Sequence, residues 1–221
     1  NTPNLRSNRK ADAPTKSNLG GPPAPGTNRV WYTANSGTPG TFNIAALGEQ
    51  SLGEQITPAD FDGDGNDDLA VWRGVAAAGP GGGFFFILNS SDSTVDTVDF
   101  GVNGDEAGIV GDYDGDGMAD PAVFRQPSSA PFGPTTFFYK GSAGGGEITF
   151  QQWGDNTSED LRAVRGDYDG DGKHDFVIHR TSPTNAGKGQ YAILRSSDAG
   201  MEFFEYGNSA DLLFPGDFDG D

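Results

Sequence analysis

Aspartates recur at fixed offsets in this chain: Asp60, Asp62, Asp64 and Asp68; then Asp112, Asp114, Asp116 and Asp120; then Asp167, Asp169, Asp171 and Asp175. A fourth copy begins with Asp217, Asp219 and Asp221. Carboxylates at positions 1, 3, 5 and 9 of a loop with Gly at position 6 bring hard oxygen ligands into one tight turn. That donor set suits a cation that takes six to eight oxygens at about 2.3–2.6 Å. No soft ligand competes, because the chain has no Cys and only two His. The pattern therefore predicts three full calcium sites. The backbone carbonyls of Asn66, Met118 and Lys173 are expected as position-7 ligands, and Asp217, Asp219 and Asp221 form a fourth, incomplete site. Asp and Gly also gather in turns for purely conformational reasons, but three matches to one nine-residue template favour metal.

The flanks of each loop decide what must hold it. A helix–loop–helix calcium site needs a bidentate Glu at position 12, where this chain has Val71, Val123 and Ile178. After each loop comes a short apolar run, Leu69–Trp72, Pro121–Phe124 and Phe176–His179, rich in β-branched and aromatic residues. Each loop feeds a strand. Successive loops start 52, 55 and 50 residues apart, which excludes a nine-residue calcium repeat and matches one propeller blade. Each interval divides into four strand-like segments. Strand A enters the loop, as in Ile109–Asp112, Ala163–Asp167 and Leu213–Asp217. Strand B leaves it and ends in Arg73, Arg125 or Arg180. Strand C comes after a Gly/Pro-rich turn, at Phe84–Leu88, Thr136–Tyr139 and Tyr191–Leu194. Strand D ends in an aromatic–Gly pair, Phe100–Gly101, Trp153–Gly154 and Tyr206–Gly207. Val30–Thr33 and Thr41–Gly48 read as strands C and D of a preceding blade.

The run Gly-Asp-Tyr-Asp-Gly-Asp-Gly-x-x-Asp, followed by an apolar strand and Arg, resembles the FG-GAP or VCBS-type repeat of bacterial extracellular proteins, related to the calcium-bearing blades of integrin α-chain propellers. The resemblance covers roughly residues 30–221. It implies an all-β fold, a β-propeller of four-stranded antiparallel blades with calcium in the hairpin between the first two strands. Three complete blades and partial ones are expected, either as a piece of a longer propeller or with a composite blade. Its missing strand B would come from beyond Asp221 or from another chain. Because blades mainly contact their neighbours, Asp114→Ala is expected to remove one binding event and leave the other two.

Charge divides the chain in two. Residues 1–29 hold five basic residues against Asp12 alone, whereas residues 30–221 hold nine basic against thirty-one acidic ones. The first segment, rich in Pro, Gly and Asn, reads as an extended tail or linker, and a tail docked on a neighbouring subunit would build a filament. The formal charge of −18 disfavours nucleic acid as a partner, and four carboxylates per loop repel one another until a cation binds. Millimolar calcium is an extracellular condition, so the expected location is extracellular or the cell surface. No apolar stretch reaches the length of a membrane span. The chain contains no Gly-x-Ser-x-Gly elbow, phosphate loop, His-Glu-x-x-His or Cys nucleophile, so no enzyme is expected. His174, at loop position 8, is expected to face solvent, and His179 to pack within strand B. Arg73, Arg125 and Arg180 are expected in structural ion pairs or carbonyl contacts. Consecutive aromatics at Phe84–Phe86, Phe137–Phe138 and Phe203–Phe204 read as strands buried on both faces. The expected function is a calcium-stabilised scaffold for adhesion or assembly, by self-association or with another extracellular protein or a glycan. The alternatives are a carbohydrate- or ligand-binding module and the non-catalytic propeller of a larger secreted enzyme. Sequons stand at Asn89 and Asn156.

Overall fold

Alternating and doubly apolar runs of four to eight residues, punctuated by Gly, fold here into strands and almost nothing else. The computed structural model describes residues 14–15, 28–34, 41–75, 82–127, 133–155, 161–213 and 215. Asn156, the Asp217, Asp219 and Asp221 copy and most of segment 1–29 lie outside the described residues.

Four antiparallel sheets succeed one another along the chain. β1 (Pro14–Thr15), β2 (Asn28–Ala34) and β3 (Phe42–Glu49) form the first. After a 3-10 turn at Gln50–Leu52, the second comprises β4 (Gln55–Ile56), β5 (Leu69–Gly74), β6 (Gly82–Leu88) and β7 (Val95–Val102). β8 (Ala122–Arg125), β9 (Pro134–Lys140) and β10 (Ile148–Asp155) make the third. The fourth holds β11 (Arg162–Val164), β12 (Phe176–Thr181), β13 (Lys188–Leu194) and β14 (Met201–Asn208). Each is a meander in which sequence neighbours pair. Among the described residues no helix is long and apolar enough to cross a membrane.

The first strand of each repeat differs from expectation. Its named part is short, at Gln55–Ile56 and Arg162–Val164, and single pairs carry it on to the loop, through Ala59↔Asp68 and Gly111↔Asp120 in the first two repeats and the Asp175 N–H on Gly166 O in the third. The third sheet has no named strand there, only the bridges Glu106↔Phe124, with reciprocal bonds of 2.9 and 2.7 Å, and Gly111↔Asp120, with the Asp120 N–H on Gly111 O at 2.8 Å, so among the described residues it is three-stranded where four strands are expected. Between those bridges Ile109 and Val110 are 2% and 1% exposed and serve opposite interfaces, Val110 packing with the second sheet and Ile109 with the fourth. In the first sheet the short β1 pairs with β2 in the register Pro14↔Thr33 and Thr15↔Tyr32. Pro14–Thr15 thus pair along the edge of β2 that faces away from β3.

The aromatic–Gly pairs explain themselves at this level. Phe100–Gly101 stand opposite one residue between Gly82 and Phe84, Trp153–Gly154 opposite Thr135, and Tyr206–Gly207 opposite Gly189. Leu47–Gly48 do the same in the first sheet. Each is a β-bulge whose glycine is left-handed, with φ between 69° and 93°. The displaced carbonyls find side-chain donors: Trp31 Nε1 to Leu47 O (2.9 Å), Trp72 Nε1 to Phe100 O (3.0 Å) and Thr135 Oγ1 to Trp153 O (2.5 Å).

Sheets pack face to face in chain order. Strand β5 shows how: Val71 joins Trp31 and Leu47 of the first sheet, while its neighbours Ala70 and Trp72 join Val123 of the third. Successive residues serve opposite interfaces, which is why the strands carry consecutive apolar side chains. Phe203 and Phe204 do not follow the expectation: they stand on β14, the edge strand of the last described sheet, and are 53% and 41% exposed. The third sheet meets the fourth through Phe124, Phe137, Ile178 and Ala192. His179 is fully buried and meets Tyr191 edge-on at 4.9 Å. Arg73 pairs with buried Glu54 (2.5 Å) and Arg125 with buried Asp105 (2.7 Å), as expected of structural ion pairs, whereas Arg180 bonds Gln190 at 3.0 and 3.1 Å.

Candidate metal centres

Between strands A and B the chain must reverse within a few residues, and the glycines permit it. Those at positions 4 and 6 are left-handed in all three loops, with φ from 76° to 93°, a conformation that costs other residues about 1–2 kcal/mol. Both glycine N–H groups point at the position-1 carboxylate. Gly63 and Gly65 donate to Asp60 (2.7 and 3.0 Å), Gly115 and Gly117 to Asp112 (2.5 and 2.8 Å), and Gly170 and Gly172 to Asp167 (2.8 and 2.9 Å).

Position 9 closes the loop. Asp68, Asp120 and Asp175 are each 0% exposed, and each accepts the position-2 N–H, from Phe61, Tyr113 and Tyr168 at 2.7, 2.9 and 2.7 Å. Burial, followed by repulsion from the loop's other carboxylates, pushes all three carboxyls above the usual aspartate range, and their hydrogen bonds only partly offset this. Such a group is stabilised either by taking up a proton or by an adjacent cation.

Positions 1, 3 and 9 converge. In each of the sets Asp60/Asp62/Asp68, Asp112/Asp114/Asp120 and Asp167/Asp169/Asp175, ligand oxygens from all three residues lie within 4.8 Å of one another. Two oxygens on one calcium can stand no more than about 4.6–5.2 Å apart, and on one magnesium about 4.0–4.2 Å. The all-carboxylate donor set suits a hard, oxygen-seeking cation, and a separation within 4.8 Å is compatible with one ion held by all three residues. Asp64, Asp116 and Asp171, the expected position-5 ligands, stand outside these triads. Their Oδ1 atoms accept the N–H of Asn66, Met118 and Lys173 at 2.7, 2.9 and 2.8 Å. Asp64 is held below the usual carboxylate range first by that bond.

Sequence reasoning missed the other wall of each site, the turn between the third and fourth strands. Ser90, Ser142 and Ser196 donate their backbone N–H to Oδ1 of Asp68, Asp120 and Asp175 at 2.7, 2.8 and 2.7 Å. Their hydroxyls reach the position-5 carboxylates: Ser90 to Asp64 (2.9 Å), Ser142 to Asp116 (2.9 Å) and Ser196 to Asp171 (3.1 Å). The next residue serves position 3, through Ser91 Oγ to Asp62 (2.6 Å), Ala143 N to Asp114 (2.9 Å) and Ser197 Oγ to Asp169 (2.5 Å). The signal was present as a Ser 22, 22 and 21 residues after position 9.

The loops also touch one another. Ala119 N donates to Asp60 O and His174 N to Asp112 O, both at 2.6 Å, and Lys173 Nζ donates to Asp114 O at 2.7 Å. His174 does not face solvent as its loop position suggested. It packs on Gly111 and lies 5.6 Å from the Tyr113 ring. Burial first, then Arg165, lowers its pKa to about 4, so it is neutral at pH 7. It lines a cavity of about 200 Å³ between the first two loops, with Pro58, Asp60, Val110, Asp112 and Arg165. Arg165 Nη1 crosses to Pro58 O at 3.0 Å.

Comparisons with protein-family models, with curated proteins and with solved structures give no match.

Proposed function

We propose that the chain is a calcium-stabilised β-propeller of the FG-GAP/VCBS kind, its successive sheets being blades, and that it serves as an extracellular scaffold for adhesion or assembly. The observation that carries this reading is the threefold recurrence of one carboxylate triad at one register of successive sheets. A single acidic cluster is common on protein surfaces. Three with the same hydrogen-bonding frame, each containing a fully buried Asp, form a stability system that a cation would complete. The carbonyls of Asn66, Met118 and Lys173, together with Asp64, Asp116 and Asp171, are the further ligands this reading assigns. The assembly role is supported by the outermost strand of the fourth sheet, where Met201, Phe203, Phe204 and Tyr206 are all exposed, an apolar surface of the kind that partners cover.

At 1 mM calcium and a dissociation constant on the order of 10⁻⁴ M, each site would stabilise the fold by about 1.4 kcal/mol. Calorimetric titration of the chelator-treated protein should show at least three calcium ions bound, and the melting temperature should rise with added calcium. A melting temperature indifferent to both calcium and chelator would end this reading. Light scattering in calcium at high protein concentration tests assembly, and a strictly monomeric protein would leave only the metal part standing.

A further inference from the structure

Resting on the metal reading above, we propose that Ser90, Ser142 and Ser196 are positioning residues of the three cation sites, and that the turn carrying them is the outer half of each site. The loop supplies the carboxylates and holds at least one oxygen of each, but it does not hold every oxygen. In the first loop the glycine N–H groups occupy both oxygens of Asp60, and the Phe61 N–H occupies Oδ2 of Asp68. Oδ1 of Asp68, Oδ2 of Asp62 and Oδ2 of Asp64 are held instead from the opposite turn. One serine thereby spans the site, its N–H fixing the buried carboxylate and its hydroxyl fixing the one at the rim.

Serine is common in tight turns because it bonds its own backbone. These three hydroxyls reach away from their own turn, to carboxylates 26, 26 and 25 residues earlier in the chain. The residue after each serine is Ser91, Ala143 or Ser197, and it reaches position 3 by a hydroxyl or by a backbone N–H. Chemistry at that place is interchangeable, whereas the first place carries a hydroxyl in every copy. Ser142 is the clearest case, since its Oγ also lies 3.0 Å from Oδ1 of Asp120, inside the triad. Groups that orient metal ligands typically govern about 10–100-fold in affinity.

The test is calcium calorimetry and thermal melting, with and without chelator, on the whole chain carrying Ser142→Ala or Ser142→Thr. Ser142→Ala should weaken one binding event about tenfold or more and leave the chelated melting temperature unchanged, and Ser142→Thr should restore the affinity. Wild-type constants in Ser142→Ala would overturn the proposal while leaving the metal sites intact. An equal drop in melting temperature with and without calcium would also overturn it, by assigning the hydroxyl to the fold alone. Absence of calcium binding to the wild type would remove the metal reading itself.

Discussion

The buried aspartate at position 9 is the residue on which each centre turns. Asp68, Asp120 and Asp175 are fully buried beside other carboxylates, and without a cation their protonation is favoured in the folded state relative to the unfolded one. The sign comes from linkage: a carboxyl whose folded pKa is raised costs stability above that pKa, and the cost is relieved as pH falls through it. With calcium bound the same groups are ionised ligands, so acid removes stability. The gap between calcium-loaded and chelated melting temperatures should therefore narrow as pH falls from 7 toward 5. Differential scanning fluorimetry across that range checks it, and a constant gap would mean that protons and cation do not compete at these residues.

At the scale of single elements, the bulges set how the last strand of each sheet leaves its ladder. Gly101 has φ of 93°, and a Cβ there would stand 3.1 Å from Val123 and 3.3 Å from Asp105 and Trp72. Gly101→Ala should destabilise the fold by about 1–2 kcal/mol from backbone strain alone, more if those three cannot yield. Urea unfolding in calcium measures this, and a loss below about 0.5 kcal/mol would mean that the bulge relaxes. Much of this level was legible beforehand. Strands B, C and D could be read from β-branched and aromatic runs, and the aromatic–Gly pairs marked the strand ends. Strand A was legible only in part, because its ladder is reduced to short pairs and single bridges such as Glu106↔Phe124 and Gly111↔Asp120, which apolar pattern alone does not specify. The carboxylates of the loop were legible from spacing, since local turn geometry brings positions 1, 3 and 9 together. The serines were not, because their role depends on the turn between strands C and D folding back over the loop, which no local pattern specifies. Glu54 and Asp105 were missed for the same reason, being partners of Arg73 and Arg125 across 19 and 20 residues.

Across the whole molecule the sites form a series. Repeat spacing alone suggests independent loops, but Ala119 N–H is bonded to the first carbonyl of the loop before it, as is His174 N–H. A cation that orders one loop fixes a donor that orders its predecessor, which is a coupling free energy between sites. Asp114→Ala should then abolish one event and also weaken the first site by about fivefold or more. Calorimetry in which the two remaining events keep their wild-type constants would show that the loops act alone. The same bonds join successive sheets near their loops, while Phe85, Val123 and Phe138 join two of them through the core.

The glycine N–H groups held by position 1 have a further consequence, for the ageing of the polymer. Among aspartyl bonds, the one followed by glycine is the most prone to rearrange, because the unhindered glycine nitrogen attacks the aspartyl side chain and closes a succinimide that reopens as isoaspartate. Each loop contains two such bonds, after positions 3 and 5. In every one the attacking nitrogen is already donating to Asp60, Asp112 or Asp167, and its left-handed backbone is fixed by the turn. The arrangement that aims the carboxylates also withholds the nucleophile, and six of the most perishable linkages in the chain gain a longer chemical lifetime for as long as the loops stay folded.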